Sequence, residues 1–151
     1  RTLIGLVPAI LLTSPLFGVS ILKLGLPLLL LFLSLYIFGI TLGLFVSAGL
    51  MRFGPSFENI AWSSLFLLAP LGCIYYPIEI LPSFFQVIAK LLPLVYIFDE
   101  TRNILLNGFV NYENLKQAYL LNLFYLAGGI SLFHLSFLRA RIKGTLINMG
   151  E

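Results

Sequence analysis

Long stretches without a charged residue constrain this chain more than any other feature of its sequence. Residues 3–22 and residues 24–51 contain no Asp, Glu, Lys or Arg, and only Lys23 separates the two runs. Crossing a bilayer core as a helix takes roughly 20 consecutive apolar residues, whereas buried helices of soluble proteins usually stop sooner. Both runs therefore predict membrane-spanning helices. A signal peptide, which also begins with a positive charge, is the alternative for residues 1–22, but the apolar run is too long for one and an equally apolar run follows.

The composition argues against an ordinary soluble domain. Hydrophobic residues make up 60% of the 151 residues and charged residues 10%, whereas soluble domains contain about 25% charged residues. A water-soluble chain of this length cannot hide so much apolar surface. We therefore expect an all-α, multi-pass transmembrane helical bundle in contact with membrane lipid, placed in the plasma membrane (the inner membrane in a bacterium). The net charge of +3 is spread along the chain, which argues against a nucleic-acid partner.

Two further spans are predicted downstream. Residues 59–78 follow a short turn that contains Gly54 and Pro55, a pair that interrupts helical periodicity. Residues 118–138 form the last predicted span. Aromatic side chains that favour headgroup depth stand near the ends of the third span as interface anchors: Trp62, Tyr75 and Tyr76. A basic cluster closes the last span at a cytoplasmic end: Arg139, Arg141 and Lys143.

The segment between the third and fourth spans is too interrupted to cross a membrane. Pro82 and Pro93 delimit one short helix over residues 83–92, and a second runs from Leu94 to about Asn107. Prolines are ordinary helix stops, and neither piece is long enough to span. Residues 83–107 therefore predict a re-entrant helical hairpin before the last span, dipping into the membrane and buried against protein.

Three charged residues in the second hairpin helix form the main candidate site. We call Asp99, Glu100 and Arg102 the charged trio. Asp99 stands three residues before Arg102, so the two side chains can pair on one helical face. Apolar neighbours make an unpaired charge there costly. The trio is interpreted either as the device that fixes the hairpin or as an ion pair solvated at the membrane surface, with a direct substrate contact as a third interpretation.

Small and polar residues within the spans indicate how the helices pack. Small residues about one turn apart let helices approach closely in lipid, and the second span offers Gly39, Gly43 and Ala48. In the last span, Asn122 and His134 are each expected to form a hydrogen bond with a neighbouring helix. A proton relay is the alternative for His134.

Basic residues indicate orientation, because cytoplasmic ends of spans carry an excess of Lys and Arg. With four spans in order, one side receives Arg1, Arg52, Arg139, Arg141 and Lys143, and the other receives Lys23, Lys90, Arg102 and Lys116. The first set lies at span ends, whereas Arg102 has carboxylates beside it. The expected topology therefore places both ends of this chain in the cytoplasm.

Motifs for catalysis are absent from the sequence. It contains no Gly-rich phosphate loop, no metal-binding His-Glu helix and no nucleophile elbow. We therefore expect no catalytic residue, no cofactor, no metal site and no ATP hydrolysis by this chain alone. The predicted spans carry no charge, which disfavours an ion-coupled transporter. A transport function would then need an energy-supplying partner.

Several short motifs occur in a fixed order around the third span and the hairpin. They are Leu50–Gly54 (LMRFG), Ala61-Trp62 (AW), Ala69–Leu71 (APL), Tyr76–Pro82 (YPIEILP), Pro93–Tyr96 (PLVY) and Phe98–Arg102 (FDETR). Together with the last span and its basic tail, this order resembles the C-terminal half of an ABC transporter permease of the type 2 export class. The resemblance covers most of the chain.

The resemblance implies a six-helix permease subunit that dimerises with a second permease copy or a similar subunit, each bound to a separate cytoplasmic ABC ATPase subunit. Such permeases export polysaccharides, lipid-linked glycans, lipids or drugs. Residues 1–151 are then the C-terminal part of a type 2 ABC transporter transmembrane domain, with the coupling helix expected before Arg1. In this interpretation the pathway candidates at the outer end are the hairpin corners and the residues beside them: Pro77, Pro82, Pro93, Tyr96, Asp99, Glu100 and Arg102.

Two alternatives come from other functional classes. A noncatalytic membrane scaffold or assembly subunit would share the spans but needs no re-entrant hairpin. A membrane-embedded enzyme acting on lipids or isoprenoids would place carboxylates, His or Ser at membrane depth, and this chain offers only the charged trio.

Overall fold

The computed structural model describes residues 25–143, and all regular secondary structure within that range is helical. The first predicted span, residues 3–22, lies outside the described residues. The all-α fold class is confirmed for the described part of the chain. Five α-helices follow one another, with a short 3₁₀ helix at Ile78–Ile80 between the second and third: α1 Gly25–Phe53, α2 Phe57–Leu71, α3 Ser83–Ala89, α4 Pro93–Asn107 and α5 Tyr112–Lys143.

Helices α1 and α5 are long and apolar enough to cross a membrane. Their most apolar windows have mean hydropathies of 2.5 and 1.5, and only 22% and 11% of those windows are buried inside the protein. The core helix of a soluble protein would be mostly buried, because its apolar surface must leave water. The two helices contain the predicted spans 24–51 and 118–138, apart from residue 24, which precedes the described residues.

Helices α1 and α5 run parallel and form the most extensive interface between helices in the described chain. The contacting positions rise together along both helices, from Leu30 with Tyr119, through Ser34 with Asn122, to Leu44 with Gly129. The end of α1 at Arg52 therefore lies at the same end of the pair as Arg139 of α5. We call this the Arg52 end, and the other the opposite end.

Among the described helices, glycine permits close packing at Gly129, whereas Gly39 and Gly43, which were selected from the sequence, have no neighbouring helix. A Cβ atom placed on Gly129 would lie 3.5 Å from Leu44 of α1, so the helices are in van der Waals contact there. A Cβ atom placed on Gly39 or Gly43 would have no atom of the described residues within 4 Å. Both stand on the exposed face of α1, whereas Ala48 is buried, so the close approach of another helix at these two glycines stays a prediction.

The helix predicted over residues 59–78 is shorter in the structure. Helix α2 has 15 residues and ends at Leu71, which corresponds to about 22 Å at 1.5 Å per residue. The chain turns at Cys73, whose buried side chain accompanies a left-handed backbone with φ of 53°. Turns and the 3₁₀ helix then lead to α3. Sequence periodicity could not reveal this turn, since residues 72–76 are almost as apolar as the helix before them.

Three prolines selected from the sequence begin helical segments. Pro77 immediately precedes the 3₁₀ helix, Pro82 precedes α3, and Pro93 is the first residue of α4. Proline lacks a backbone N–H, and the first turn of a helix has no intrahelical acceptor for that group. The two short helices predicted on either side of the Pro93 junction are present, although α3 ends at Ala89 rather than at residue 92.

Helix α4 packs across the opposite end of the α1–α5 pair. Ile97 and Ile104 of α4 share a buried cluster with Leu31 of α1 and with Leu115 and Ala118 of α5. All three partners come from the first part of their helices. The charged trio is therefore placed at the end of the pair that lies away from Arg52.

Candidate functional site

The guanidinium of Arg102 binds the chain just after α2. Its Nη2 donates to the carbonyl oxygens of Cys73 and Tyr76, the latter at 2.9 Å. Carbonyls at and beyond a helix C-terminus lack intrahelical partners. A planar guanidinium offers several donors and keeps its charge, so one side chain satisfies both acceptors. Arg102 thereby ties α4 to the turn that ends α2.

Asp99 pairs with Arg102 as the sequence spacing predicts. The distance from Arg102 Nη1 to Asp99 Oδ1 is 3.6 Å, and the Asp99 side chain is 47% exposed. Exposed ion pairs contribute only about 0–1 kcal/mol. Asp99 therefore supports the orientation of the guanidinium, while the bonds from Arg102 to the two carbonyls connect the helices.

Glu100 binds the start of α5 instead of Arg102. Two positions along a helix differ by about 200° around its axis, so Glu100 and Arg102 face nearly opposite ways. The Glu100 side chain is fully buried. Its Oε1 accepts from the backbone N–H of Asn111 at 2.6 Å, and its Oε2 accepts from Asn114 Nδ2 at 3.2 Å. Both carboxylate oxygens thus have donors, as a buried charge requires.

Asn111 caps the helix that Glu100 holds. Its side-chain oxygen accepts from the backbone N–H of Glu113 at 3.1 Å, and asparagine is among the preferred N-cap residues. The Glu100 carboxylate also stands near the helix N-terminus, where the positive end of the macrodipole favours a negative charge. The start of α5 is therefore fixed by α4.

The charged trio forms two opposed anchors, which we call the Arg102 anchor (Arg102, Cys73 and Tyr76) and the Glu100 anchor (Glu100, Asn111 and Asn114). The sequence predicts that the three charges form one cluster. The structure corrects this for Glu100, which forms no ion pair with Arg102 among the described residues. Asn114 Nδ2 also donates to Asp99 Oδ2 at 3.5 Å, which links the two anchors. Because Arg102 and Glu100 point nearly opposite ways from α4, a rotation or shift of α4 would disturb both the end of α2 and the start of α5.

Two of the selected tyrosines satisfy backbone carbonyls at helix ends. The Tyr76 hydroxyl donates to the carbonyl of Pro70 at 2.8 Å, and the Tyr96 hydroxyl donates to that of Lys90 at 3.0 Å. Pro70 lies in the last turn of α2, and Lys90 follows α3. Both hydroxyls thus have structural partners, while the interface position of Tyr76 and the pathway position of Tyr96 stay predictions.

The remaining selected residues lie at the surface, apart from Pro93. Trp62 is 58% exposed and Tyr75 is 81% exposed. Pro93 is buried at the start of α4, while Pro77 and Pro82 are exposed. At the Arg52 end, Arg139 and Arg141 are exposed. For Lys143, the last described residue, only the backbone is described.

A buried polar contact joins α1 and α5. Asn122 Nδ2 donates to the Ser34 carbonyl at 2.9 Å and to the Ser34 hydroxyl at 2.8 Å, and Asn122 is 1% exposed. The predicted hydrogen bond to a neighbouring helix is confirmed for Asn122. His134 is exposed and makes no hydrogen bond with the described residues, so for this residue the hydrogen bond stays a prediction.

Sequence analysis missed Asn111, Asn114 and Ser34 as members of these contacts. For Asn111 a signal was available, because an Asn directly before a helical segment is a typical N-cap. The carbonyls of Cys73 and Tyr76 gave no signal, since every residue has a carbonyl and only the turn after α2 presents these two together to Arg102.

The described residues contain no group of three or more His, Cys, Asp or Glu side chains that could hold a metal ion. The site's chemistry is that of hydrogen bonds which position helix ends. Comparisons of the chain with protein-family models, with curated proteins and with solved structures find no match.

Proposed function

We propose that this chain is the C-terminal part of the transmembrane domain of a type 2 ABC exporter. In this proposal it forms the translocation pathway as a dimer and is driven by separate cytoplasmic ATPase subunits. The main supporting observation is the position of α4, a helix too short to span, locked at one end of two long parallel apolar helices. The order of motifs around α2 and α4 is that of the family which the sequence resembles.

The parallel arrangement of α1 and α5 supports a multi-pass topology. If both helices cross the membrane in the same direction, the chain between them must return to the starting side. Residues 54–111 make that connection, and α2 supplies about 22 Å of it. A bilayer core measures about 30 Å, so residues 72–82 would complete the return. With residues 3–22 as a further span, both ends would be cytoplasmic.

The environment of α4 supports a re-entrant position for residues 83–107. Ile97 and Phe98 line one cavity with residues from Leu28 to Leu35 of α1, so this part of α4 lies beside the region about 5–15 Å from the start of that helix. Helix α3 carries exposed Phe84 and Val87, at 72% and 67%. Apolar side chains at such exposure suit contact with lipid or with another subunit.

Nucleotide hydrolysis would occur on a partner, since the chain has no phosphate-binding loop. The test is purification of the full-length protein from its native membrane in mild detergent, followed by ATPase assays before and after a salt wash that strips peripheral subunits. We expect hydrolysis only in the complex. A Lys→Ala change in the partner's phosphate loop is the matched control and should abolish it.

Two results would contradict the proposal. Hydrolysis by the stripped protein would place an ATP site on this chain. The second result concerns protein purified under the mildest conditions from cells that also express the neighbouring genes. If no nucleotide-binding subunit is bound to it, a noncatalytic scaffold is favoured instead.

A further inference from the structure

A cleft of about 330 Å³ opens where α3, α4 and α5 meet. Lys90 follows α3, Tyr96 stands on α4, and the first turns of α5 contribute Glu113 and Lys116. The hydrogen bond from the Tyr96 hydroxyl to the Lys90 carbonyl holds the backbone of one wall in place. The cleft is separate from the Arg102 and Glu100 anchors, whose residues do not line it.

The charge of the cleft is positive and unpaired. Lys90 and Lys116 are exposed, and neither ammonium forms an ion pair with a carboxylate in the described part of the chain. Glu113 is the one acidic residue among those lining the cleft. Two ammonium groups against one carboxylate leave a net positive charge, which favours an anionic ligand.

The cleft changes from polar to apolar along α5. Leu120 and Leu121 line it beyond Lys116, and five residues of helix cover about 7.5 Å. Leu120 is 63% exposed. Lys116 stands just before the apolar part of α5, where basic side chains reach the headgroup region. A ligand with a charged head and an apolar tail matches this order.

We propose that the cleft binds an anionic phospholipid with a hydroxylated headgroup. Its phosphate lies between Lys90 and Lys116, and an acyl chain follows Leu120 and Leu121. The Glu113 carboxylate accepts a hydrogen bond from a headgroup hydroxyl. Inorganic phosphate matches only the charged half of the cleft, and a phosphatidylcholine headgroup has no net charge and no hydroxyl. The site requires α5 to cross a membrane, but it requires no transport activity.

The test measures lipid binding to the full-length protein by native mass spectrometry, with phosphatidylglycerol titrated against a phosphatidylcholine background. Removal of both positive charges in Lys90→Gln/Lys116→Gln should weaken phosphatidylglycerol binding roughly thirtyfold, or about fivefold per lysine. Arg139→Gln/Arg141→Gln makes the same change of net charge at the Arg52 end and should leave the affinity of the first, tightest-bound phosphatidylglycerol within twofold of the parent.

Two further measurements, with varied salt and with added inorganic phosphate, test the charge dependence of binding and separate a lipid from free phosphate. Binding by the parent should weaken as ammonium acetate, a volatile salt that the mass spectrometer tolerates, is raised from 50 to 500 mM, because salt screens exposed charges. This expectation holds even if the double lysine variant fails to fold. Inorganic phosphate at 10 mM should not displace the lipid, since it gains no contact with the leucines. The proposal would be overturned if the lysine variant bound as tightly as the parent, or if the arginine control lost as much binding as the lysine variant. It would also be overturned if binding did not respond to salt, or if phosphate displaced the lipid.

Discussion

At the scale of single residues, Arg102 and Asp99 differ in importance although the sequence presents them as partners. Arg102 donates to two backbone carbonyls, while Asp99 is half exposed and stands 3.6 Å from the guanidinium. Hydrogen bonds to charged groups contribute about 1.5–3 kcal/mol each, whereas exposed ion pairs contribute about 0–1 kcal/mol. The carbonyl contacts should therefore dominate the stability that Arg102 provides.

We accordingly expect Arg102→Ala to destabilise the purified protein by about 2–4 kcal/mol, because two carbonyls lose their donor. Asp99→Asn should cost less than about 1 kcal/mol. Unfolding in detergent, followed by circular dichroism, measures both, and Arg102→Lys is the matched variant that keeps the charge but loses the fork of donors. If Asp99→Asn and Arg102→Ala proved equally destabilising, the ion pair and not the carbonyl contact would be the anchor.

At the scale of helices, two glycines within α1 differ in their packing. A Cβ atom built on Gly49 would lie 2.1 Å from the ring of Phe57, the first residue of α2, whereas no atom of residues 25–143 lies within 4 Å of one built on Gly39. Contacts below ordinary van der Waals distance force the neighbour to move. Gly49 thus permits the tight turn between α1 and α2.

The matched pair Gly49→Ala and Gly39→Ala tests this difference. Ala is favoured over Gly by about 1 kcal/mol in an exposed helix interior, so Gly39→Ala should be neutral or stabilising. Gly49→Ala should destabilise by about 1–3 kcal/mol, because overpacking displaces the Phe57 ring. Thermal unfolding in the same detergent compares them. A stability of Gly49→Ala at or above that of Gly39→Ala would mean that α2 does not pack against α1 in this way.

The helices themselves could be predicted from the sequence, but their partners could not. Uncharged runs and prolines locate α1, α3 and α4 to within three residues and the central part of α5, because helix formation depends on local propensity and apolar length. The end of α2 depends on the left-handed backbone of Cys73, and the close approach of α5 depends on Gly129. Both follow from tertiary packing, which a single sequence does not record.

In the candidate site, too, the local pairing could be predicted from the sequence but the distant partners could not. The spacing of Asp99 and Arg102 predicted their pairing, since residues three apart share a helical face. The partners of Arg102 stand 26 and 29 residues away in the chain. They are backbone carbonyls, which every residue type has, so the sequence does not mark them. The role of Glu100 at the start of α5 could have been suspected from Asn111, whose N-cap signal is local.

At the scale of the whole molecule, the parallel relation of α1 and α5 brings Arg52 and Arg139 to one end. The intervening chain places Lys90, Lys116 and the anchors at the other end. An excess of arginine and lysine marks the cytoplasmic side of membrane proteins. At the opposite end, Arg102 is occupied by carbonyls and Asp99, so its charge should count less. The topology proposed above therefore orients the Arg52 end toward the cytoplasm.

Single cysteines in a Cys73→Ala background test that orientation in intact cells. Ser56→Cys lies in the exposed turn after α1, and Asn107→Cys lies at the exposed end of α4, away from the cap that Asn111 forms. An impermeant thiol reagent added outside should label Asn107→Cys at once and Ser56→Cys only after permeabilisation, because these positions flank opposite ends of the α1–α5 pair. The cysteine-free parent gives the background. Labelling of Ser56→Cys but not of Asn107→Cys in intact cells would reverse the orientation. Labelling of both would mean that the chain between α1 and α5 does not return across the membrane.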